Sequence, residues 1–402
     1  MTKTKVSITK ETSIRGSVRR AVELLGGIEA YIKPGQSVLL KPNATGPASP
    51  DKGITTNPEV LEAVLELVIE AGAGRIVIGD GTGSATLGTR KVFSTCGYDY
   101  LEKKYPDKFE FMDLNRQPQK NIKVKEPYIL EEIQVIGCVY EFDVVINLPV
   151  LKTHFITGVS LGLKNLKGCI PPAQKRNMHE VGVNKAVADM NTILFADLTI
   201  VDGTIGSEGL GPKEGHPVGL GVILAGTDGV AVDTVSCAVM GFCAKDIEHI
   251  RLVNEKGFGT IDLDQIEVLG ERIESVRRAF APAIPKIPEG KSASILNGNA
   301  CSGCISCAVI SQSRLVDSGL LDSLASENKQ ITFVIGGKFS ADQEWPDPSN
   351  TFVIGNCAQG LKKHGQYIPG CAPACLDINR FISKYYGLDE ALLETIVGDV
   401  NK

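Results

Sequence analysis

Between Asn57 and Ser84 the chain reads NPEVLEAVLELVIEAGAGRIVIGDGTGS, and this stretch constrains the fold more than any other. Asn57 can accept from the unbonded N–H groups that open a helix. Pro58 supplies the fixed φ of a first helical residue, and Gly72 can end the helix. RIVIG follows at once: an apolar run too short for a helix and without polar alternation, the pattern of a strand buried on both faces. A helix feeding such a strand is half of a βαβ crossover, which fixes parallel neighbours. The alternation recurs. KVSIT (5–9), SVLLKP (37–42), FEFMDL (109–114), DVVINLPVL (143–151), LTIVDG (198–203), VGLGVILAGTD (218–228) and QIEVLG (265–270) read as strands. Residues 17–31, NKAVADMNTILF (184–195) and VAVDTVSCAVMG (230–241) read as helices, and 119–137 as an antiparallel insertion. The expected fold class is α/β, a mostly parallel sheet with helices on both faces.

At 402 residues the chain exceeds one ordinary domain. The break is predicted at AFAPAIPKIPEGK, a Pro-rich linker over 279–291 between a body (1–278) and a cysteine-rich part (292–402). Strands over 292–298, 330–338 and 351–356, with helices over 302–325 and 374–385, make that part a smaller C-terminal α/β domain. A net charge of −5 argues against a nucleic-acid partner. No run of about 18 apolar residues predicts a membrane span. The opening MTKTKVSITKETSIRGS lacks the apolar core of a secretory signal, so the expectation is a cytoplasmic protein.

Six of the eleven cysteines fall between 301 and 375, too clustered for chance and out of place as disulfides in a chain without an export signal. Cys301, Cys304 and Cys307 form a C-x2-C-x2-C run, while Cys357 and Cys371 follow turn residues at predicted strand ends, with Cys375 close behind. Thiolates at such turns, with backbone N–H groups aimed at sulfur, suit one [4Fe-4S] cluster. The expected ligands are Cys301, Cys304, Cys357 and Cys371, with Cys307 and Cys375 as alternates. Zinc on two cysteine pairs, or a redox dithiol at Cys301/Cys304, are the competing readings. The basic KKHG (362–365) is a candidate docking patch for a redox partner protein.

The densest polar stretch, NLPVLKTHFITGVSLGLKNLKGCIPPAQKRNMHE, begins at a predicted strand end. Parallel sheets bind ligands outside the carboxyl ends of their strands. Lys152, Thr153 and His154 belong there, beside Lys41, Asn43 and Asp202, and Lys164, Asn165, Lys167 and His179 follow. Several ammonium groups and an imidazole predict a pocket for an anionic small molecule or cofactor. Lys152, His154 and Lys164 are the expected catalytic groups, with His154 moving the proton. Lys41, Asn43, Thr153, Asn165, Lys167, His179 and Asp202 would bind substrate. GDGTGS (79–84) hints weakly at phosphate, and the glycine-rich DGTIGSEGLGP (202–212) is read as a lid or surface loop.

LLKPN, TTNPEVLEAVLELV, NLPVLKTHFITGVSLGLKNLKG, VDGTIGSEGLGP and LAGTDGVAVDTVSCAVMG together resemble the domain-of-unknown-function family 362, over roughly residues 5–270. The resemblance implies an iron–sulfur, redox-linked protein without fixing a substrate. The family's usual C-x2-C-x2-C-x3-C-P insertion is missing here, so the cysteine-rich part reads as a different appended domain. The functional expectation is an anaerobic iron–sulfur oxidoreductase or electron-transfer protein acting on the anionic ligand. The alternatives are a non-redox lyase or isomerase with a structural cluster, and an electron-carrier or binding scaffold for a partner enzyme.

Overall fold

The computed structural model describes residues 3–83, 88–283, 293–373 and 375–387. Two compact units emerge: Met1–Met178 with Val183–Ala283, and His179–Gly182 with Ile284–Lys402. Most of the expected linker (284–291) and Ser84 of the glycine turn lie outside the described residues.

Twelve strands belong to the first unit: β1 (Thr4–Thr9), β2 (Ser37–Pro42), β3 (Arg75–Asp80), β4 (Glu110–Asp113), β5 (Gln119–Lys123), β6 (Glu132–Ile136), β7 (Val144–Leu148), β8 (Val150–His154), β9 (Gly158–Ser160), β10 (Leu198–Leu210), β11 (Glu214–Gly226) and β12 (Ile266–Gly270). Ten form one sheet whose main path runs β12-β1-β11-β10-β7-β2-β3-β4, with β8 on β10 and β9 on β8. The β10-β7-β2-β3-β4 run is parallel throughout, as the apolar strands require. Side chains alternate across it. Leu40, Ile78 and Ile146 enter one core with Val18 and Leu61, whereas Leu39, Val77 and Val145 enter another with Met178 and Val187. Helices therefore cover both faces. The α/β class is as the sequence predicts, and β5 and β6 are the antiparallel insertion.

Two local expectations give way. Residues 143–151 are two strands, because Pro149 has no N–H for a ladder and the chain steps across it: β7 pairs β10 at Leu198 and Thr199, and β8 takes over from Asp202. The glycine-rich 202–212 segment is neither lid nor loop. Most of it extends β10, antiparallel to β11. Its glycines serve close packing: a Cβ on Gly206 would come within 2.6 Å of the Leu151 carbonyl oxygen.

The second unit holds a parallel sheet in the order β13 (Ser294–Gly298), β14 (Thr332–Gly336), β15 (Thr351–Ile354), β16 (Gln366–Ile368). The short β16 escaped sequence reading. The helix expected over 302–325 is two, Ser302–Asp317 and Leu320–Ser326, divided at Gly319 with φ +74°. No helix among the described residues is long and apolar enough to cross a membrane.

Candidate functional site

Lys41 and Asn147 are register partners at the carboxyl ends of β2 and β7, on the face that Leu39 and Val145 share. Both are about 1 % exposed. A buried ammonium needs partners, and Lys41 has three: Asp80 Oδ1 at the end of β3 (2.8 Å), the Pro42 carbonyl (2.9 Å) and Asn165 Oδ1 (3.1 Å). Asn165 ties the elements together. Its Oδ1 also accepts from Asn43 Nδ2 (2.9 Å), and its Nδ2 donates to Asn147 Oδ1 (2.8 Å). Lys152 on β8 completes the group, donating to Asn43 Oδ1 (2.8 Å) and to the Ile54 carbonyl. The strand ends and the helix Gly162–Asn165 are thus locked through one buried polar network.

That helix is only one turn long and is held from outside. Asp233, buried in the helix Gly229–Val239, accepts from Gly162 N (2.7 Å) and Leu163 N (3.0 Å), and Asn147 Nδ2 donates to the Gly162 carbonyl (3.0 Å). Burial raises the Asp233 carboxyl to about 7 against those two hydrogen bonds. Gly168, just beyond, has to be glycine. A Cβ there would overlap Asp80 Oδ1 and sit 2.5 Å from Lys41 Cε.

The lysines outnumber their counter-charges. Among Lys41, Lys152, Lys164 and Lys175, Lys41 alone is ion-paired with a described residue. Burial, then the charge of Lys41, lowers Lys152 to about 7. Burial, then Lys152, lowers Lys164 to about 7. Burial also brings Lys175, which donates to the Gly81 carbonyl and to Asn115 Oδ1, to about 8, and it carries Lys167 well below its usual range with help from Lys164 and Lys175. Lys164, Lys167 and Lys175 keep part of their surface open to water. The result is a wet-edged cluster of lysines in which the proton affinities of Lys152, Lys164 and Lys175 sit near neutrality.

The other expected site residues are placed elsewhere. His154 is buried with its ring stacked on Phe155, and its Nδ1 accepts from Ile156 N (3.1 Å), so it caps its own turn. Thr153 Oγ1 donates to the Gly209 carbonyl, stitching β8 to β10. Both Asp202 oxygens are engaged, one by Asn57 N at the start of the helix Pro58–Glu70, the other by Thr204. His179 groups with the second unit, where it meets Ser302. The glycine turn after β3 offers phosphate little, since Gly81 N and Gly83 N already donate to the carbonyls of Gly168 and Thr45. Asp80, Asn147, Lys175 and Asp233 were outside the expected catalytic and binding residues. Asn147 and Asp233 did carry a signal: Asn147 is the lone polar residue of an apolar strand, and Asp233 the lone charged residue of a mostly apolar helix.

In the second unit Cys301, Cys357 and Cys371 each follow the carboxyl end of a parallel strand, β13, β15 and β16, and Cys304 lies in the first turn of the helix Ser302–Asp317. Cys304 feels the charges of Cys301, Cys357 and Cys371. Its thiol donates to Cys301, which with the N–H groups of Cys304 and Gly303 brings Cys301 down to about 5 and pushes Cys304 upward. The loops carrying Cys357 and Cys371 are clamped reciprocally: Asn356 N donates to the Gly370 carbonyl and Gly370 N to Asn356 Oδ1, both at 2.8 Å. Gly355 (φ +97°) has no Cβ that would lie 3.0 Å from Cys304 Sγ and 3.9 Å from Cys357 Sγ. No three His, Cys, Asp or Glu side chains among the described residues are arranged to hold a single metal ion.

Residues 38–238 match the family described as Domain of unknown function (DUF362). A thylakoid-associated protein of Synechocystis sp. is 34 % identical over 232 residues, 56 % of this chain and 68 % of that protein. The lactate racemase apoprotein of Thermoanaerobacterium thermosaccharolyticum is similar at a TM-score of 0.39 and 12 % identity, over 99 % of this chain and 91 % of its own. A Thermotoga maritima protein is similar at 0.36 and 11 %, over 95 % and 82 %. Neither structural likeness bears on this chain's chemistry. The matched residues include Lys41, Asp80, Asn147, Lys152, Asn165 and Asp233 of the polar network together with Lys164, and the chain belongs to the DUF362 family.

Proposed function

We propose that this protein is an enzyme acting on a small molecule with a carboxylate or phosphate group, bound by the lysine cluster at the carboxyl ends of β2, β3 and β8. One observation carries the reading: five lysines converge there, and Asp80 is the single carboxylate ion-paired with Lys41, Lys152, Lys164 or Lys175. Buried cations without counter-ions cost several kcal/mol each, roughly, and a bound anion offsets that cost. The anion would raise the pKa values of Lys152, Lys164 and Lys175 and take N–H groups these lysines have open, while Lys41, whose three are spent on Asp80, Pro42 and Asn165, would add charge. Asn43, Asn147 and Asn165 hold the lysines in register whether or not it is bound. Differential scanning fluorimetry with phosphate, citrate and chloride tests this. A rise in Tm with phosphate or citrate at constant ionic strength is expected, larger at pH 6.5 than at pH 9. No anion-specific rise at either pH would overturn the reading.

We further propose that the second unit binds a [4Fe-4S] cluster through Cys301, Cys304, Cys357 and Cys371. A cluster's thiolates bind different irons, so convergence on one ion is not what it requires. The four thiols share one sheet edge, next to glycines that leave room for sulfur and iron. When bound, the cluster supplies one-electron chemistry. Cys301 would offer a ready thiolate at the helix start, the Asn356–Gly370 clamp would set the spacing of Cys357 and Cys371, and exposed Lys362 and Lys363 would meet an acidic redox partner. Anaerobic reconstitution followed by iron and sulfide analysis tests it. About four irons per chain would support the cluster, and zinc alone would remove it.

A further inference from the structure

Within the cluster the lysines differ in what restrains them. Lys41 is held by Asp80, Pro42 and Asn165, Lys152 by Asn43 and Ile54, and Lys175 by Gly81 and Asn115. The Lys164 side chain makes no hydrogen bond and no ion pair with the described residues, yet its backbone is firmly placed. Asp233 bonds the two N–H groups before it, and the neighbouring Asn165 is bonded to Lys41, Asn43 and Asn147. A fixed base with an untethered, partly exposed tip suits a group that must reach a ligand.

The groups that act on Lys164 offer it no counter-charge. Lys152 lies toward it from β8 and Lys167 from its own segment. His249, from the helix Glu248–Glu255, is fully buried with neither ring nitrogen hydrogen-bonded, and burial with the charge of Lys164 lowers it to about 3, so it stays neutral. Asp233 is spent on backbone N–H groups. A desolvated lysine beside another cation is a recognised way to make a free amine near neutral pH.

We infer that Lys164 is a nucleophilic amine that forms an imine with the carbonyl carbon of an oxo acid or phosphorylated carbonyl compound whose anionic group faces Lys175, in the field of the buried Lys41 and Lys152. This rests on the anion-site reading above and names its substrate class. The amine lone pair adds to the carbonyl carbon, a proton moves from nitrogen to oxygen, and the carbinolamine loses its oxygen as water, leaving the C=N bond. No oxidant or reductant is involved. Protonated Lys152 spends two of its three N–H groups on Asn43 and Ile54, leaving one for the departing oxygen.

The full-length protein would be treated with pyruvate and sodium cyanoborohydride from pH 5.5 to 9, and the reduced adducts mapped by peptide mass spectrometry, with and without inorganic phosphate. Lys164 should be labelled at least tenfold faster than exposed Lys10 and Lys103, half-maximally near pH 7, and phosphate should slow it. Lys164→Arg should lose that label. Lys164 labelling no faster than the surface lysines overturns the imine. If phosphate still raises Tm, the anion site stands and the imine alone fails; if it does not, both fail.

Discussion

The buried amine of Lys152 makes the cluster testable through stability alone. The residue is about 1 % exposed, and its pKa falls from 10.5 to about 7 through burial and the charge of Lys41. In the unfolded chain it returns to its ordinary value. Between pH 7 and 10.5 the unfolded state therefore holds a proton that the folded state lacks, and the contribution of Lys152 to stability rises with pH, the reverse of a lysine held by a carboxylate. Each pH unit well inside the window is worth about 1.36 kcal/mol, and the span from the midpoint at 7 to 8.5 integrates to about 1.6 kcal/mol. Lys152→Met removes the titration. It also leaves Asn43 Oδ1 and the Ile54 carbonyl without a donor, at about 1–3 kcal/mol per group, but that cost does not vary with pH. Losing the charge of Lys152 lets Lys164 rise in the variant, which enlarges the contrast. Buried Cys96 and Cys169, pushed up to about 11 and about 12, lower stability alike in both proteins as the unfolded thiols ionise, and they cancel. Urea unfolding followed by circular dichroism at three pH values from 7 to 8.5 measures the difference. Wild type should gain on the variant by about 1.6 kcal/mol or more across the window; a gain below about 0.5 kcal/mol would refute a desolvated Lys152.

Lys41→Met leaves Asp80 as an uncompensated buried charge and should cost about 3–5 kcal/mol in urea unfolding, with Asp80→Asn in the same chain recovering more than half; no recovery would refute the pair. Gly168→Ala should cost more than about 2 kcal/mol and abolish the phosphate-induced rise in Tm, because its Cβ overlaps Asp80 and crowds Lys41; a stable, phosphate-responsive variant would contradict the packing. Cys304→Ser should hold less iron after anaerobic reconstitution than Cys307→Ser, since Cys304 is the thiol that feels the other three; equal loss would shift the ligand set.

Strand and helix periods were legible because they follow from which residues avoid water, and the stretch 57–84 alone implied a parallel sheet. The end of β10 was not. A Gly-rich segment reads as a loop until β8 and β11 are seen to press against it, so its glycines record close packing that no local rule displays. The site divides in the same way. The sequence offered lysines at strand ends, and Lys41, Lys152, Lys164 and Lys167 do converge. It could not separate His154, which caps a turn, from a proton carrier, because a histidine's part depends on what its nitrogens meet. Nor could it join Asp80 to Lys41 across separate strands, or Asp233 to Gly162 across 71 residues. Chain order determines the elements, since propensity and apolar period are local. The pairing of charges was left to tertiary structure, which alone decides which distant groups leave water together.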